Sequence, residues 1–214
     1  MRLQRSSLPN IITVARIAVT PGVFLLILPE SAIYRLLAFL LFLVAAFSDL
    51  WDGYLARKHG WISDFGKLWD PIADKLLVVA TFIPFWIVSH SDSNLAYLPY
   101  WEALPLWVVL VIFGREILIT VVRSVLASRG RVVPAGSAGK HKAVWQNIFI
   151  GSAIFWYAMV VAAERYGWTS GVYEIFRAFI ELVVGLSLLV AVTLTVYSMV
   201  VYLYEWWKVG RATP

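Results

Sequence analysis

The sequence contains no cysteine and few charged residues. Without cysteine the chain can form no disulfide bond, no thiolate metal site and no cysteine nucleophile. Charged residues make up only 14% of the 214 positions, which excludes intrinsic disorder and coiled coils, because both need many more charges. Hydrophobic residues make up 61%, above the roughly 45–50% of soluble domains. The composition therefore predicts an integral membrane protein.

Six apolar runs are long enough to cross a bilayer as helices, since each crossing needs about 20 residues. They cover approximately residues 9–29, 33–56, 68–90, 103–126, 143–163 and 178–204. The runs do not alternate as barrel strands do, and the short connections leave no room for a second soluble domain. We predict an all-α integral membrane protein with a single domain over residues 1–214, six transmembrane helices and a short N-terminal juxtamembrane segment.

Positively charged residues are distributed unequally between the two ends of these runs. Twelve Lys or Arg residues fall at the end that holds both termini, and three fall at the other end. Cytoplasmic loops carry the excess of Lys and Arg, so both termini are predicted to be cytoplasmic. Because the cations follow this membrane pattern, the net charge of +5 does not indicate a nucleic-acid partner. The first run is expected to be retained rather than cleaved as a signal peptide, because Arg16 and Pro21 interrupt it.

Four aspartates lie where the second run ends and the third begins. Charges at membrane depth are costly and therefore indicate function. Asp49 and Asp52 are three residues apart and share one helix face. Asp70 and Asp74 are four residues apart and also share a face. So many carboxylate oxygens suit Mg²⁺ or Mn²⁺, with two ions sharing bridging carboxylates. The alternative is a buried structural network of these aspartates with Arg57, Lys67 and Lys75.

The spacing D-x2-D-G-x2-A-R-x8-G-x3-D-x3-D, which runs from Asp49 to Asp74, resembles the signature of the CDP-alcohol phosphotransferase family. The resemblance implies an integral-membrane enzyme that transfers a phosphatidyl or similar group from a CDP-linked donor to an alcohol and releases CMP. It also implies that Asp49, Asp52 and Asp70 bind metal. Asp74 would be both a metal ligand and the general base.

The same resemblance predicts the donor site. Gly53 and Arg57 would contact the CDP moiety, and Ser63 falls where relatives often place a small hydroxyl residue near the donor. Ala56, like Gly53, removes side-chain bulk beside the carboxylates, which admits either a ligand or a neighbouring helix. Residues 10–13 correspond to positions that lie against the CDP-lipid in the wider family, although this stretch could simply start a helix. The predicted CDP-lipid site therefore consists of Asn10, Thr13, Asp49, Gly53, Ala56, Arg57 and Ser63.

The stretches 8–16, 114–123 and 139–146 resemble the bacterial phosphatidylglycerolphosphate synthases of that family. Arg115, within an apolar run, would be costly unless an anionic acceptor, Glu116 or an aspartate offset its charge. The lysines near residue 140 could instead contact anionic lipid. Relatives commonly have Thr where Ala143 stands here. The predicted acceptor-phosphate site consists of Arg115, Thr120, Arg123, Lys140 and Lys142.

The resemblance leads us to expect a metal-dependent phosphatidyltransferase of phospholipid biosynthesis. Its substrates would be CDP-diacylglycerol and glycerol 3-phosphate, and its products phosphatidylglycerol phosphate and CMP. Alternatives within the family are a phosphatidylinositol phosphate synthase and a cardiolipin synthase, and an alternative of a different class is an ion-coupled membrane transporter. A cytoplasm-facing site implies a multi-pass protein of the plasma or inner membrane. The family resemblance also suggests a homodimer.

Overall fold

The computed structural model describes residues 8–60, 64–128 and 137–211, which form six α-helices and no β-strand within these ranges. The helices are α1 Leu8–Ile27, α2 Ala32–His59, α3 Asp64–Ser89, α4 Leu106–Ser128, α5 Ser137–Tyr166 and α6 Gly171–Arg211. Five of them, all except α4, contain a segment long and apolar enough to cross a membrane. The prediction of an all-α membrane fold with six helices is confirmed for these ranges.

The helix α4 differs from the others in the charges that it carries. It has 23 residues, and its length of about 34 Å is sufficient to span a hydrocarbon core. Of its three charged residues, Arg115 and Glu116 lie near the middle of α4, and Arg123 lies in the half that leads to α5. An otherwise apolar helix therefore brings charge to the inside of the bundle.

The helix α5 contains the most buried of the five apolar stretches. Of its apolar stretch His141–Tyr166, 72% is buried, against 22% of the stretch Ala32–Asp49 in α2. α5 contacts α6 and α2, α1 packs on α2 and α3, and α4 packs on α6 and α3. Large apolar side chains on the outer faces of α2 and α6 are exposed. Such faces are stable against lipid tails, which are as apolar as the side chains themselves.

An aromatic cluster fixes α3 relative to α5. The ring centroids of Phe82 and Phe149 lie 5.5 Å apart, and those of Phe85 and Tyr157 lie 6.0 Å apart. All four side chains are fully buried, and aromatic pairs at these distances add to the stability gained by burial. The two helices that carry Asp74 and Lys142 are thereby held in one arrangement.

The loop between α3 and α4 covers the end of the bundle that lies opposite the aspartates. Trp156 Nε1 on α5 donates a hydrogen bond to the carbonyl oxygen of Tyr97 at 3.1 Å. Tyr100 has a positive φ of 64° and packs directly against Gly185 on α6, where any side chain would collide with its ring. The loop is thus fastened to both α5 and α6.

Arg35 is a buried cation near that same end. Its Nε and Nη1 donate hydrogen bonds to the carbonyl oxygens of Ile27 and Tyr157, both at 3.3 Å. The last turn of a helix leaves its carbonyls without helical partners, so Arg35 caps the end of α1. Its guanidinium carbon also lies 5.2 Å from the centroid of the Tyr157 ring. Arg35 is therefore a core residue that joins α1, α2 and α5.

Candidate active site

Arg16 on α1 lies between two aspartates from neighbouring helices. Its Nη1 donates hydrogen bonds to Oδ1 of Asp49 on α2 at 2.5 Å and to Oδ1 of Asp74 on α3 at 3.1 Å. The Arg16 side chain is 1% exposed, whereas those of Asp49 and Asp74 are 39% and 58% exposed. One buried guanidinium thus bridges two carboxylates and offsets part of their charge, which explains the presence of a cation within an apolar run.

One turn earlier on α1, Thr13 contacts the third predicted metal ligand. Its Oγ1 donates a hydrogen bond to Oδ1 of Asp70 on α3 at 2.7 Å. Thr13 and Arg16 are three residues apart, so they share one face of α1. That face therefore holds aspartates from both α2 and α3, and three of the four predicted metal ligands meet there.

The remaining donor-site residues are described only in part. Asn10 is half-buried and lies inside the first turn of α1. Ser63 lies outside the described residues. Four further residues lie in the last two turns of α2, with side chains outside the described part: Asp52, Gly53, Ala56 and Arg57. Their roles at the donor and metal sites stay predictions.

A second cluster of charges joins α4 to α5. Oε1 of Glu116 accepts a hydrogen bond from Nη1 of Arg115 at 3.0 Å and also pairs with Nζ of Lys142. The Arg115–Glu116 pair, one of the alternatives considered from the sequence, is therefore present, and its carboxylate serves a second cation. Lys142 is 5% exposed, so it does not lie among lipid head groups.

Two more predicted acceptor residues continue this wall along α4. Lys75 Nζ on α3 donates a hydrogen bond to Thr120 Oγ1 at 2.7 Å. The guanidinium carbon of Arg123 lies 5.6 Å from the ring centroid of Tyr202 on α6, within the range of a cation–π contact. Lys140 lies in the first turn of α5, and its side chain is outside the described part.

Both clusters line a single cavity of about 270 Å³. Its charged lining residues are Arg16, Asp49, Asp74, Lys75, Arg115, Glu116, Arg123 and Lys142. Five cations accompany three carboxylates in this lining, so the described part of the cavity carries a net positive charge. Residues from five helices, α1 to α5, thereby place carboxylates and a group of cations around the same space. This combination suits an anionic ligand with a hydroxyl group.

The carboxylates also bear on the predicted metal site. Among the described side chains, which do not include Asp52, no three Asp, Glu, His or Cys groups are placed so that they could hold a metal ion. Oxygens of Asp49 and Asp74 nevertheless converge on one guanidinium nitrogen. Hard carboxylate oxygens are the ligands that Mg²⁺ and Mn²⁺ prefer. The donor set therefore fits a divalent cation in its charge and its chemistry.

Arg16, Lys75 and Gln146 are among the polar residues that line the cavity, and none of them is predicted from the sequence to bind substrate or metal. The first two are recognisable as cations inside apolar runs, but their partners depend on how the helices pack. Gln146 follows Lys142 by four residues and lies one turn further along the same face of α5. That spacing is the signal that could have identified it.

Comparison with known proteins agrees with the geometry. Residues 6–209 match the family model for CDP-alcohol phosphatidyltransferase. The chain belongs to this family. The CDP-diacylglycerol–glycerol-3-phosphate 3-phosphatidyltransferase of Bacillus subtilis is 38% identical over 161 residues, covering 69% of this chain and 76% of that protein. The protein of the same name from Rickettsia bellii is 38% identical over 140 residues, covering 65% of this chain and 70% of that protein. The Arabidopsis thaliana protein with that name and the suffix 2 is 30% identical over 207 residues, covering 95% of this chain and 81% of that protein.

The family predicted from the spacing of the aspartates is thus confirmed. A member of the CDP-alcohol phosphatidyltransferase family is an enzyme, and the apolar helices make this one a multi-pass membrane protein.

The substitution Arg16→Gln is expected to destabilise this phosphatidyltransferase, because it leaves Asp49 and Asp74 close together without their shared cation. Breaking a fully buried ion pair costs about 3–5 kcal/mol. Since both aspartates are partly exposed, solvent screening should reduce the loss to about 1–3 kcal/mol. Thermal unfolding in detergent measures the effect. The matched control is Arg177→Gln, which breaks the more exposed pair Arg177–Glu181 and should lower the Tm much less. Equal losses in the two variants would contradict the importance of the Arg16 bridge.

Proposed function

We propose that the chain transfers the phosphatidyl group of CDP-diacylglycerol to glycerol 3-phosphate, which gives phosphatidylglycerol phosphate and CMP in phospholipid biosynthesis. The observation that supports this proposal most strongly is the single cavity in which Asp74 and an excess of cations line the same space. The names of the similar proteins from Bacillus subtilis and Rickettsia bellii describe the same reaction.

The cations are the feature that favours a phosphorylated acceptor. Arg115 and Lys142 share the single carboxylate of Glu116, so together these three groups carry a net positive charge. Arg123 and Lys75 add two further positive charges to the same lining. Charge-assisted hydrogen bonds from such groups suit a phosphate dianion. With Thr120 and Lys140, these cations would hold the phosphate of glycerol 3-phosphate.

Asp74 is the proposed general base. The oxygen of the primary hydroxyl of the acceptor forms a bond to the lipid-side phosphorus, while the bond from that phosphorus to the oxygen of CMP breaks. The hydroxyl proton passes to the Asp74 carboxylate, and CMP leaves with the electron pair of the broken bond. Asp74 is half-exposed towards the cavity and held by Arg16, so it is both accessible and fixed in position.

The donor would lie on the α2 side of the cavity. Gly53, Ala56 and Arg57 would contact its CDP moiety, and Ser63 would lie near it. On α1, Asn10 and Thr13 would lie against the lipid part. Asp49, Asp52, Asp70 and Asp74 would hold two divalent ions, Mg²⁺ or Mn²⁺. When bound there, such ions neutralise charge on the pyrophosphate. The requirement for divalent ions is tested by measuring CMP release from CDP-diacylglycerol and glycerol 3-phosphate after treatment with EDTA and again after Mg²⁺ or Mn²⁺ is added back.

An ion-coupled transporter is the alternative from a different class. Such a protein needs a polar path across the membrane. Beyond Asp74 along α3, the core contains the fully buried rings of Phe82 and Phe85, packed on Phe149 of α5. An apolar, aromatic core next to a one-sided charged cavity favours catalysis over transport.

The substitution Asp74→Asn is expected to lower the rate of CMP release from CDP-diacylglycerol and glycerol 3-phosphate by about 10²–10⁴-fold, the usual contribution of a general base. Its matched control is Asp92→Asn, at an exposed loop position outside the cavity, which should keep the wild-type rate. Thermal unfolding in detergent shows whether both variants keep their fold. A folded Asp74→Asn variant with the wild-type rate would overturn the assignment of the base.

The same assay decides which alcohol is used. The wild-type enzyme should release CMP with glycerol 3-phosphate at the highest kcat/KM. Activity with inositol phosphate alone would instead indicate a phosphatidylinositol phosphate synthase, and activity with phosphatidylglycerol alone a cardiolipin synthase. Either result would overturn the proposed acceptor while leaving the family assignment intact.

We further propose that the protein lies in the plasma or inner membrane, with both termini and the cavity facing the cytoplasm, and that it forms a homodimer. The absence of native cysteine permits a direct test of the orientation. A membrane-impermeant maleimide applied to intact cells should label Ser93→Cys, in the loop between α3 and α4, and spare His59→Cys, at the end of α2. The reverse pattern would place the cavity on the outside. Cross-linking of the intact enzyme in membranes would test the dimer.

A further inference from the structure

Gln146 on α5 is a buried polar residue that none of the roles above uses. Its exposure is 3%, and its Nε2 has no hydrogen-bond partner among the residues that the structure describes. It lines the same cavity as Asp74 and Lys142. A buried amide group without a partner is destabilising, so a ligand that enters the cavity and supplies the partner would bind favourably there.

The position of Gln146 relates it to the acceptor rather than to the donor. It lies one turn of α5 beyond Lys142, about 6 Å further from the start of the helix. Lys142 pairs with Glu116 in the cluster that would hold the acceptor phosphate. The neighbouring wall of the cavity carries Asp74, which would receive the proton of the attacking hydroxyl. Gln146 therefore shares a cavity with both groups that would fix the two ends of the acceptor.

The chemistry of the amide selects the kind of group that it binds. A side-chain amide is neutral and offers two N–H donors and one carbonyl acceptor. An alcohol hydroxyl, which both donates and accepts, matches it. Glycerol 3-phosphate carries a phosphate, a primary hydroxyl and a secondary hydroxyl. The cations would take the phosphate and Asp74 the primary hydroxyl, so the secondary hydroxyl is the group without an assigned partner.

We propose that Gln146 hydrogen-bonds the secondary hydroxyl of the acceptor and makes the enzyme specific for a phosphorylated polyol that carries this hydroxyl. The proposal rests on the proposed function and goes beyond it by naming a specificity-determining residue. A site built to hydrogen-bond a hydroxyl rejects analogues that lack it, because the buried polar group of the protein is then left without a partner.

The test compares kcat/KM for glycerol 3-phosphate with that for 3-hydroxypropyl phosphate, which keeps the phosphate and the primary hydroxyl but lacks the secondary one. The wild-type enzyme should prefer glycerol 3-phosphate by about tenfold or more. In Gln146→Met, which keeps the length of the side chain without its hydrogen-bonding groups, the preference should largely disappear. A residue with a purely structural role would change both values equally and leave the preference unchanged.

The matched control is Thr81→Val. Thr81 on α3 is fully buried, lies outside the cavity and donates to the Leu77 carbonyl oxygen of its own helix at 3.0 Å. This variant loses a buried polar group and should keep the wild-type preference. If Gln146→Met does not fold, Gln146→Asn, which shortens the reach of the amide, should lower the preference in the same direction.

The outcomes separate this proposal from the proposed function. A wild-type enzyme that releases no CMP with glycerol 3-phosphate would overturn both. A wild-type enzyme that is active with glycerol 3-phosphate but shows no preference over 3-hydroxypropyl phosphate would overturn only the role of Gln146. A preference that is present in the wild-type enzyme and survives in the Gln146 variants would also overturn only the role of Gln146.

Discussion

The arrangement of this enzyme depends on one cation placed inside the apolar bundle. Arg16 binds Asp49 and Asp74 through the same nitrogen and so ties α1 to both α2 and α3. Without that cation, two carboxylates at membrane depth would repel each other, and each would bear a cost of desolvation. Arg16 is buried, while the two aspartates remain partly exposed. The guanidinium therefore holds both carboxylates in position and leaves them accessible from the cavity. This is the geometry that an active-site carboxylate needs.

In the part of the cavity lined by α4 and α5, two cations share one carboxylate. Arg115 and Lys142 are nearly buried, and both pair with Glu116. One carboxylate only partly neutralises two cations, so this cluster keeps a net positive charge that attracts an anion. The two aspartates of the cavity thus lie on α2 and α3, whereas three of its five cations lie on α4 and α5, where Glu116 is the only carboxylate among the described lining residues. An acceptor with a phosphate at one end and a hydroxyl at the other fits between these two groups.

The family and the meeting of aspartates from α2 and α3 were predictable from residues 49–74. The spacing of these residues combines a helical repeat with charges that are costly inside lipid. The six helices were predictable from apolar runs, although α5 and α6 begin six and seven residues earlier than those runs do. Hydrophobicity locates the part of a helix inside the hydrocarbon core, and helical hydrogen bonding continues into the polar turns beyond it.

The contacts within the site were less predictable. Nothing in the spacing shows that Arg16 serves two helices at once, since the contact depends on the three-helix packing of α1, α2 and α3. In the same way, the sequence suggests Glu116 as a neighbour of Arg115 but not as a partner of Lys142, which lies 26 residues away. Gln146 has no charge to mark it; its spacing from Lys142 places both residues on one face of α5, but its burial in the cavity depends on how the helices pack.

The most direct test of a shared cavity for base and acceptor phosphate is the KM for glycerol 3-phosphate in the variant Lys142→Met. Loss of a charge-assisted hydrogen bond to the phosphate should raise this KM by about 10–100-fold. The KM for CDP-diacylglycerol should stay unchanged, as should both values in the control Arg165→Met, whose side chain is exposed at the opposite end of α5. An unchanged KM for glycerol 3-phosphate in folded Lys142→Met, or an equal rise for both substrates, would contradict the cavity as the acceptor site.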